Sequence, residues 1–246
     1  MKLTIITVVK NDKKNLLITI NSVLSQNFKK FEYIIYDGMS KDGTMLAVNK
    51  YLKKNVRYIR RKDKNYYDGL NYAIKSAKGK YIGILNAGDK YYNSKTLTKV
   101  NKYISTLKYD FIFGNLIFFG KKNFIYRIWK FPIKNLSKLS CLKIATPTLF
   151  IKKHIMLSNK YNISYDISSD IDFNIKLSKK NYRYLYLNIF LIFMKKGGLS
   201  TKYSFFFKKM KQDLVILKKH FKKIYLIAYF YKILIKLFGY RLFKIK

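Results

Sequence analysis

The stretch YIGILNAGD, at residues 81–89, decides the fold of this chain. Its first five residues form an apolar run of strand length, and a polar turn that ends in Asp89 follows at once. Such a run predicts a strand buried on both faces. Further strands are predicted at residues 3–9, 31–36 and 56–60, with helical spacing of apolar residues between them at 13–26, 45–52 and 68–77. Strands that alternate with helices predict βαβ units and a parallel sheet.

Acidic residues stand directly after three of the predicted strands. The chain has 12 acidic residues, and Asp12, Asp37 and Asp89 each follow a strand end. Because ligands of a parallel sheet bind outside the carboxyl ends of its strands, we expect these carboxylates to face a common site. The second half is less regular, with strands predicted at 110–115, 124–129 and 183–187 and helices at 149–157 and 171–178.

The charge of the chain favours polyanionic partners. The 246 residues include 52 Lys and Arg against 12 acidic residues, which gives a formal net charge of +40. Phosphates, nucleic acid and an anionic membrane surface are the partners that such a balance suggests. Only six of the basic residues are Arg, whose planar fork suits the recognition of bases, so a protein that reads nucleic-acid sequence is less favoured. Part of the Lys excess is typical of coding bias in an AT-rich gene.

Several classes of protein are not favoured by the composition. Hydrophobic residues make up 49% of the chain, so we expect a folded core rather than disorder. Cys141 is the only cysteine, which excludes an internal disulfide and suits a reducing cytoplasm. The first ten residues lack the pattern of a signal peptide, and no run of 18 uncharged apolar residues predicts a spanning helix.

The C-terminal segment, residues 203–246, is Lys-rich and aromatic. Within it, residues 221–243 place apolar side chains at helical spacing with Lys between them, which predicts a basic amphipathic helix. Two interpretations stay open. The helix could lie on an anionic membrane surface, or it could pack against the rest of the protein.

Five short motifs follow one another in the first half of the chain. They are TVVKN (7–11), SVLSQ (22–26), YDG (36–38) with SKDGT (40–44), YDGLN (67–71), and GKYI (79–82) with LNAGD (85–89). Their order and spacing resemble family 2 glycosyltransferases of the GT-A fold. The resemblance is strong over residues 1–115 and weaker to about 201. It implies an α/β fold with a mixed, mainly parallel sheet flanked by helices and a C-terminal helical extension. Residues 1–202 would be the catalytic domain, with a donor-binding half (1–115) and an acceptor-binding half (116–202), and residues 203–246 would be a basic amphipathic helical tail.

The resemblance also implies a nucleotide-binding set. Asp37 would accept hydrogen bonds from a uracil ring N–H or a ribose hydroxyl, or else cap the turn beside Gly38. Asp68 would face the nucleotide, or else stabilise a helix N-terminus through its charge. The other members implied by the motifs are Thr7, Val9 and Asn11, which would line the base pocket, together with Asn71 and the ribose-binding Asn86.

A metal ion and a base complete the implied site. Asp89 matches the last acid of the family's D-x-D element and would bind Mn²⁺ or Mg²⁺ with the donor diphosphate, unless it is only a solvated loop residue. Asn86 replaces the first acid, which lowers the charge of the site. In SDIDF (169–173), which resembles the family's second acidic element, Asp170 would be the catalytic base, with Asp172 as the alternative and a helix-dipole role as the structural explanation.

The function that the resemblance implies is inverting, metal-dependent transfer of a sugar to a saccharide or lipid-linked saccharide acceptor in surface polysaccharide biosynthesis. The expected donor is a UDP-linked sugar. The expected location is cytoplasmic and peripheral at the inner face of the plasma membrane. GGLS (197–200) resembles a late glycine–serine element, which suits a closing loop or a plain turn. The alternatives are a non-catalytic sugar-nucleotide binder, because Asn86 weakens the metal site, and a basic nucleic-acid-binding protein.

Overall fold

The computed structural model describes residues 2–120, 124–131, 136–137, 139–197 and 203–238. The strands are β1 (Leu3–Val9), β2 (Phe31–Asp37), β3 (Val56–Arg60), β4 (Tyr81–Ile84), β5 (Lys90–Tyr91), β6 (Phe111–Phe119), β7 (Ile125–Trp129), β8 (Phe150–Lys152) and β9 (Tyr184–Lys195). The helices are α1 (Lys13–Leu24), α2 (Thr44–Asn49), α3 (Tyr66–Ser76), α4 (Thr96–Ile104), α5 (Lys153–Ser158), α6 (Ser169–Ser178), α7 (Phe206–Phe221) and α8 (Tyr225–Phe238).

Within these residues the nine strands form one mixed sheet. Its order is β3-β2-β1-β4-β8-β6-β9-β5, and β7 pairs with β6 outside this path. The first four of these strands run parallel, with β1 between β2 and β4. Because they are parallel, the carboxyl ends of β1, β2 and β4 meet at one edge of the sheet, as the sequence predicted.

Two hydrophobic cores cover the two faces of this sheet. Alternate residues of β1 point to opposite faces, so Ile6 and Val8 join one core while Leu3, Ile5 and Val9 join the other. The first core is closed by α3, α5 and α6, and the second by α1 and α4. Burial on both faces is the reason that β1 is apolar at consecutive positions.

The second half of the sheet differs from the prediction in two places. Residues 149–157, predicted as one helix, form β8 followed by α5. Phe150 and Ile151 pair with β4 on one side and β6 on the other, and this pairing outweighs local helical preference. Strand β9, predicted to end at 187, continues to Lys195 because its apolar run pairs along almost all of β6.

The C-terminal segment contains two helices. Helix α7 lies in the segment predicted to be a helical extension, and it buries Ile216, Leu217 and Phe221 in the core that contains Ile6. The chain turns at Lys222 with a positive φ of 48°, and α8 then begins. The predicted helix at 221–243 therefore begins later than expected, and residues 239–246 lie outside the described residues.

A buried ion pair joins the two C-terminal helices. The Lys232 ammonium of α8 donates to Asp213 Oδ2 of α7, and both side chains are almost fully buried. Among the helices that the structure describes, none combines the length and apolar composition that a membrane-spanning segment needs.

Candidate active site

The turn after β4 places Asp89 in a buried position at the carboxyl edge of the sheet. Its side chain is bonded through Oδ1, which accepts the main-chain N–H of Lys195 at 2.9 Å. Oδ2 is buried and accepts no hydrogen bond from the described residues. Burial raises the pKa of Asp89 to about 7, against the lowering effects of the Lys195 N–H and the Asn86 side chain. A buried carboxylate oxygen without a partner indicates that a ligand belongs there.

Helix α1 holds this turn in place. Thr19 Oγ1 accepts the N–H of Gly88 at 2.9 Å and donates to the Asp89 carbonyl oxygen at 2.9 Å. Gly88 has a φ of +95°, a conformation that favours glycine. The Lys195 ammonium donates to Asn15 Oδ1 at 2.5 Å, which ties the end of β9 to the same helix. The position of Asp89 is therefore fixed from α1 and β9 together.

Asn86 lies beside an unpredicted tyrosine. The Tyr66 hydroxyl, at the start of α3, donates to Asn86 Oδ1 at 2.6 Å. Burial, together with the charges of Asp89 and Asp170, raises the pKa of Tyr66. The charges of the predicted metal ligand and of the predicted base therefore both act on the Tyr66 hydroxyl.

The two acids of α6 have different surroundings. Asp172 is fully buried, with Oδ1 at 2.7 Å from His220 Nε2 and Oδ2 at 2.6 Å from Lys176 Nζ. Although burial acts in the opposite direction, these partners hold the pKa of Asp172 below its usual range. Asp170 is only partly buried, and its Oδ1 accepts the N–H of Ile171 at 3.0 Å. Asp172 is thus occupied by its ion pairs, and Asp170 remains the predicted base.

Asp37 caps the turn after β2, and its expected role in base recognition stays a prediction. It is fully buried, Oδ1 accepts the N–H of Ser40 at 2.8 Å, and Oδ2 accepts the Tyr58 hydroxyl. Arg60 Nε lies 3.8 Å from Oδ2. Both oxygens are therefore engaged, and the carboxylate serves the turn after β2, which is the alternative that the sequence left open.

The residues predicted to line the base pocket follow β1. Thr7 is fully buried and donates to the Leu85 carbonyl at 2.7 Å, so its hydroxyl ties β1 to the residue after β4. Val9 is buried in the core, on the same face of the strand as Thr7. Asn11 is exposed, with a φ of 52°, and its Oδ1 accepts the N–H of Lys41 at 2.7 Å. Of these three residues, Asn11 is the one at the exposed edge.

The two predicted residues of α3 lie apart from Asn86. Asp68 Oδ2 accepts the N–H of Lys64 at 3.0 Å. Asn71 forms two hydrogen bonds with the main chain of Tyr161, at 2.8 and 3.1 Å. Both line a shallow surface cavity whose walls also include Arg61, Tyr72, Lys75, Leu157 and Lys160. Asn71 is therefore a link between α3 and the second half of the chain, and neither residue is brought to Asp89.

A divalent cation would rely mainly on one carboxylate. Within the described ranges, no group of three or more His, Cys, Asp or Glu side chains could hold a metal ion. The free Oδ2 of Asp89 still fits a hard cation that keeps water and phosphate oxygens as its other ligands. Gly197 of the predicted closing loop has a φ of 109°, and residues 198–200 lie outside the described residues.

Sequence reasoning missed three residues at this edge. Tyr66 and Lys195 contact the Asn86–Asp89 turn, and Asp63 lies near Gly38 after β2. Asp63 and Tyr66 shortly precede the YDGLN motif, and this motif was the available signal. Nothing in the sequence pattern points to Lys195, because it reaches the site from a strand that is distant along the chain.

Comparison with solved structures defines the class of fold. S. aureus TarS 1–349 in complex with UDP-GlcNAc superimposes with a TM-score of 0.72 at 20% identity, covering 89% of this chain and 67% of that one. The mannosyltransferase PcManGT from Pyrobaculum calidifontis, in complex with GDP-Man and Mn²⁺, gives a TM-score of 0.64 at 15% identity, covering 94% and 69%. The protein has the GT-A fold of nucleotide-sugar glycosyltransferases.

Sequence comparison then gives the family. The model of the family described as Glycosyl transferase family 2 matches residues 4–169, and the chain belongs to this family. The Escherichia coli UDP-Glc:alpha-D-GlcNAc-diphosphoundecaprenol beta-1,3-glucosyltransferase WfaP is 32% identical over 126 residues, 50% of this chain and 48% of that protein. The uncharacterized glycosyltransferase MJ1057 of Methanocaldococcus jannaschii is 28% identical over 223 residues, 85% and 76% respectively. The match thus spans about half the length of the Escherichia coli relative.

Proposed function

We propose that this protein transfers a sugar, with inversion, from a UDP-linked donor to a saccharide or lipid-linked saccharide acceptor in surface polysaccharide biosynthesis. The observation that carries the proposal is the free Oδ2 of Asp89, buried beside Asn86 at the carboxyl edge of a GT-A sheet. Residues 1–115 would bind the donor and residues 116–202 the acceptor.

The names of similar proteins support this choice of donor and acceptor. WfaP is named for a UDP-Glc donor and an acceptor on diphosphoundecaprenol, and the TarS structure holds UDP-GlcNAc. The PcManGT structure holds GDP-Man and Mn²⁺, so a guanine nucleotide is the second donor class to test. These names support a nucleotide diphosphate at the β4 edge of this chain.

Asp89 is the proposed ligand of Mn²⁺ or Mg²⁺, with Asn86 next to it. The Lys195 N–H fixes one carboxylate oxygen, which leaves the other for the cation. When bound, such a cation supplies Lewis-acid stabilisation of the leaving diphosphate. The neutral Asn86 adds no charge, so the site depends on Asp89 for its negative charge.

Asp170 is the proposed base. Inversion needs a group that takes the proton of the acceptor hydroxyl as its oxygen attacks the anomeric carbon. Asp170 is partly exposed and acts electrostatically on Tyr66, which contacts Asn86, whereas Asp172 is held by Lys176 and His220. The proton of the acceptor would therefore pass to the Asp170 carboxylate.

The proposal is tested by assaying UDP release from a panel of UDP-sugars with saccharide acceptors, with wild type and Asp170→Asn compared. Turnover that is lost in the variant while UDP binding persists supports inverting transfer with this base. If nucleotides bind but no turnover is seen with any donor and acceptor tested, the protein would instead be a non-catalytic sugar-nucleotide binder.

Residues 203–246 form the proposed basic tail, which includes helices α7 and α8. We propose that this tail docks peripherally on the anionic inner face of the plasma membrane. Ile227 and Phe230 of α8 are 61% and 62% exposed, and Leu226 and Leu234 of the same helix are each 48% exposed, so α8 presents several large apolar side chains to solvent. No acidic residue occurs after Asp213, and Lys218, Lys219, Lys222 and Lys223 precede α8. Apolar side chains with a basic surround suit the headgroup region of anionic lipid.

Vesicle sedimentation tests the membrane proposal. We expect Ile227→Ser with Phe230→Ser to lose binding to vesicles that contain phosphatidylserine. Leu46→Ser is the matched control, because Leu46 is 73% exposed but lies on α2. Equal binding of the double variant and wild type would contradict membrane docking through α8.

A further inference from the structure

Asp63, in the loop between β3 and α3, is a nearly buried carboxylate without a hydrogen bond from the described residues. Its side chain is 5% exposed, and its nearest cation is Lys10 Nζ at 3.9 Å. Burial raises the pKa of Asp63, and the charge of Lys10 opposes this rise. The small exposed part of this carboxylate can accept a hydrogen bond from a ligand.

Two glycines leave room for this carboxylate. A Cβ atom on Gly38 would lie 2.5 Å from Asp63 Oδ2, and one on Gly69 would lie 3.1 Å from the same oxygen. The Gly69 position is also close to the Tyr36 ring, at 2.5 Å. Neither glycine has a positive φ, so space rather than backbone conformation explains why side chains are absent there. The chain therefore keeps a position for the Asp63 carboxylate beside the end of β2.

That position is at the ligand-binding edge of the sheet. Lys10 directly follows β1 and Gly38 directly follows β2, and both touch Asp63. The carboxylate thus lies where nucleotides bind to sheets of this kind. Asp37, one residue away, has both oxygens engaged by Ser40 and Tyr58 and is fully buried.

We propose that Asp63, rather than Asp37, is the carboxylate that recognises the base of the donor nucleotide, by accepting the N3–H of uracil. This assignment rests on the proposed function and specifies the nucleobase contact of the same site. A carboxylate only accepts hydrogen bonds, so it selects a ring that carries an N–H. Cytosine has an unprotonated N3 and would meet the carboxylate with a lone pair, so Asp63 discriminates uracil from cytosine.

The test is calorimetric binding of UDP and CDP, with Mn²⁺, to wild type and Asp63→Asn. We expect wild type to prefer UDP and the variant to lose about tenfold to a hundredfold of that preference, the range for a hydrogen bond to a charged group. The loss follows because an amide can donate to cytosine N3 as readily as it accepts from uracil. A general loss of stability would weaken the binding of UDP and CDP alike and leave the ratio of their affinities unchanged.

Two further variants make the result decisive. Asp110→Asn removes a carboxylate that pairs with Lys152 before β6, at the opposite edge of the sheet, and should leave the UDP/CDP ratio unchanged. Gly38→Ala should displace the Asp63 carboxylate and reduce the UDP preference in the same direction as Asp63→Asn. An unchanged ratio in folded Asp63→Asn would overturn the assignment alone, whereas wild type that binds neither nucleotide would overturn the proposed function as well.

Discussion

Asp89 is held in a site that disfavours its own charge. Burial raises its pKa to about 7, so at neutral pH a proton and a cation would compete for the same carboxylate. Only the Lys195 N–H and the Asn86 side chain favour the ionised form. A site of this kind should bind a cation more tightly as the pH rises through 7.

The first prediction concerns the stability cost of that carboxylate. Between about pH 4 and pH 7 the folded state keeps a proton that the unfolded state has lost, so ionisation of Asp89 lowers stability as the pH rises through this window. Without a cation, Asp89→Asn should therefore gain stability over wild type at pH 8, on the order of a few kcal/mol, and much less at pH 4. Thermal melts at both pH values check this, and an equal difference at the two values would contradict it.

The second prediction separates chemistry from binding at α6. Asp170→Asn should lower turnover by about a hundredfold or more, because a general base contributes at least that factor, while the Kd for UDP stays unchanged. Asp172→Asn is the comparison, since it should lower the melting temperature by weakening the ion pairs with Lys176 and His220. Steady-state kinetics with calorimetry tests both, and normal turnover in Asp170→Asn would show that the base is another residue.

Part of the site could be predicted from sequence, and the limit is physical. Motifs in the sequence singled out Asp89 and Asp170, and their roles stay predictions. In the structure, Asp89 keeps an unbonded Oδ2 and Asp170 is partly exposed. Asp37 is engaged because Tyr58, on the neighbouring strand β3, donates a hydrogen bond to it. Asp63 becomes a candidate only because Gly38 and Gly69 approach it in space. No spacing along the chain encodes such approaches.

At the scale of elements, α1 is the support of the β4 turn. Thr19 and Asn15 bond to Gly88, Asp89 and Lys195 from one face of this helix. A helix is a rigid element, so its side chains hold a loop more accurately than the loop could hold itself.

The third prediction tests this support. Thr19→Val keeps the shape of the side chain but removes its bonds to the turn, which should cost about 1–3 kcal/mol of stability because the buried Asp89 carbonyl oxygen loses its donor. It should also weaken cation-dependent UDP binding, since Asp89 loses its fixed position. Ser25→Ala, which removes an exposed hydroxyl after the end of α1, is the control. UDP affinity equal to that of wild type in Thr19→Val would contradict the role of α1.

The fourth prediction concerns the pairing of α7 with α8. Asp213→Ala leaves the buried Lys232 without its carboxylate, so α8 should detach more readily from α7. Hydrogen exchange should then rise across residues 225–235 while β1 stays protected. The control is Asp166→Ala, because Asp166 forms a more exposed pair with Lys208. Unchanged exchange in α8 after Asp213→Ala would show that apolar contacts alone hold the helix.

Strands and helices were predictable where a single sequence pattern determines the local structure. The predicted and observed bounds of strands β1 to β4 agree within a residue, because β-branched and aromatic residues dominate these short runs. Strand β8 was missed because its short segment takes its form from pairing with Ile82 and Phe111, which are distant in sequence. Helix α7 lies in the predicted helical tail, but its own bounds were not predicted because Lys residues between its apolar positions hide the stripe that it buries.

The whole molecule combines a donor edge with a strongly basic surface. Its net charge of +40 should attract a nucleotide diphosphate and an anionic membrane alike, and added salt weakens both attractions. Specific binding of a nucleotide can be told apart from this general attraction. The specific binding requires a cation at Asp89, whereas the general attraction depends on the charge of the whole surface. Family membership and fold are established, so the donor is the next property to determine.

The most direct test of the central claim is calorimetric binding of UDP, GDP, CDP and dTDP, each with and without Mn²⁺, to wild type and Asp89→Ala. We expect UDP to bind in the presence of Mn²⁺, and this binding to be lost in folded Asp89→Ala. Binding of UDP that is equal with and without Mn²⁺, or equal in the variant, would contradict the metal site at Asp89. Failure of every nucleotide to bind folded wild type would contradict the proposed transferase function itself.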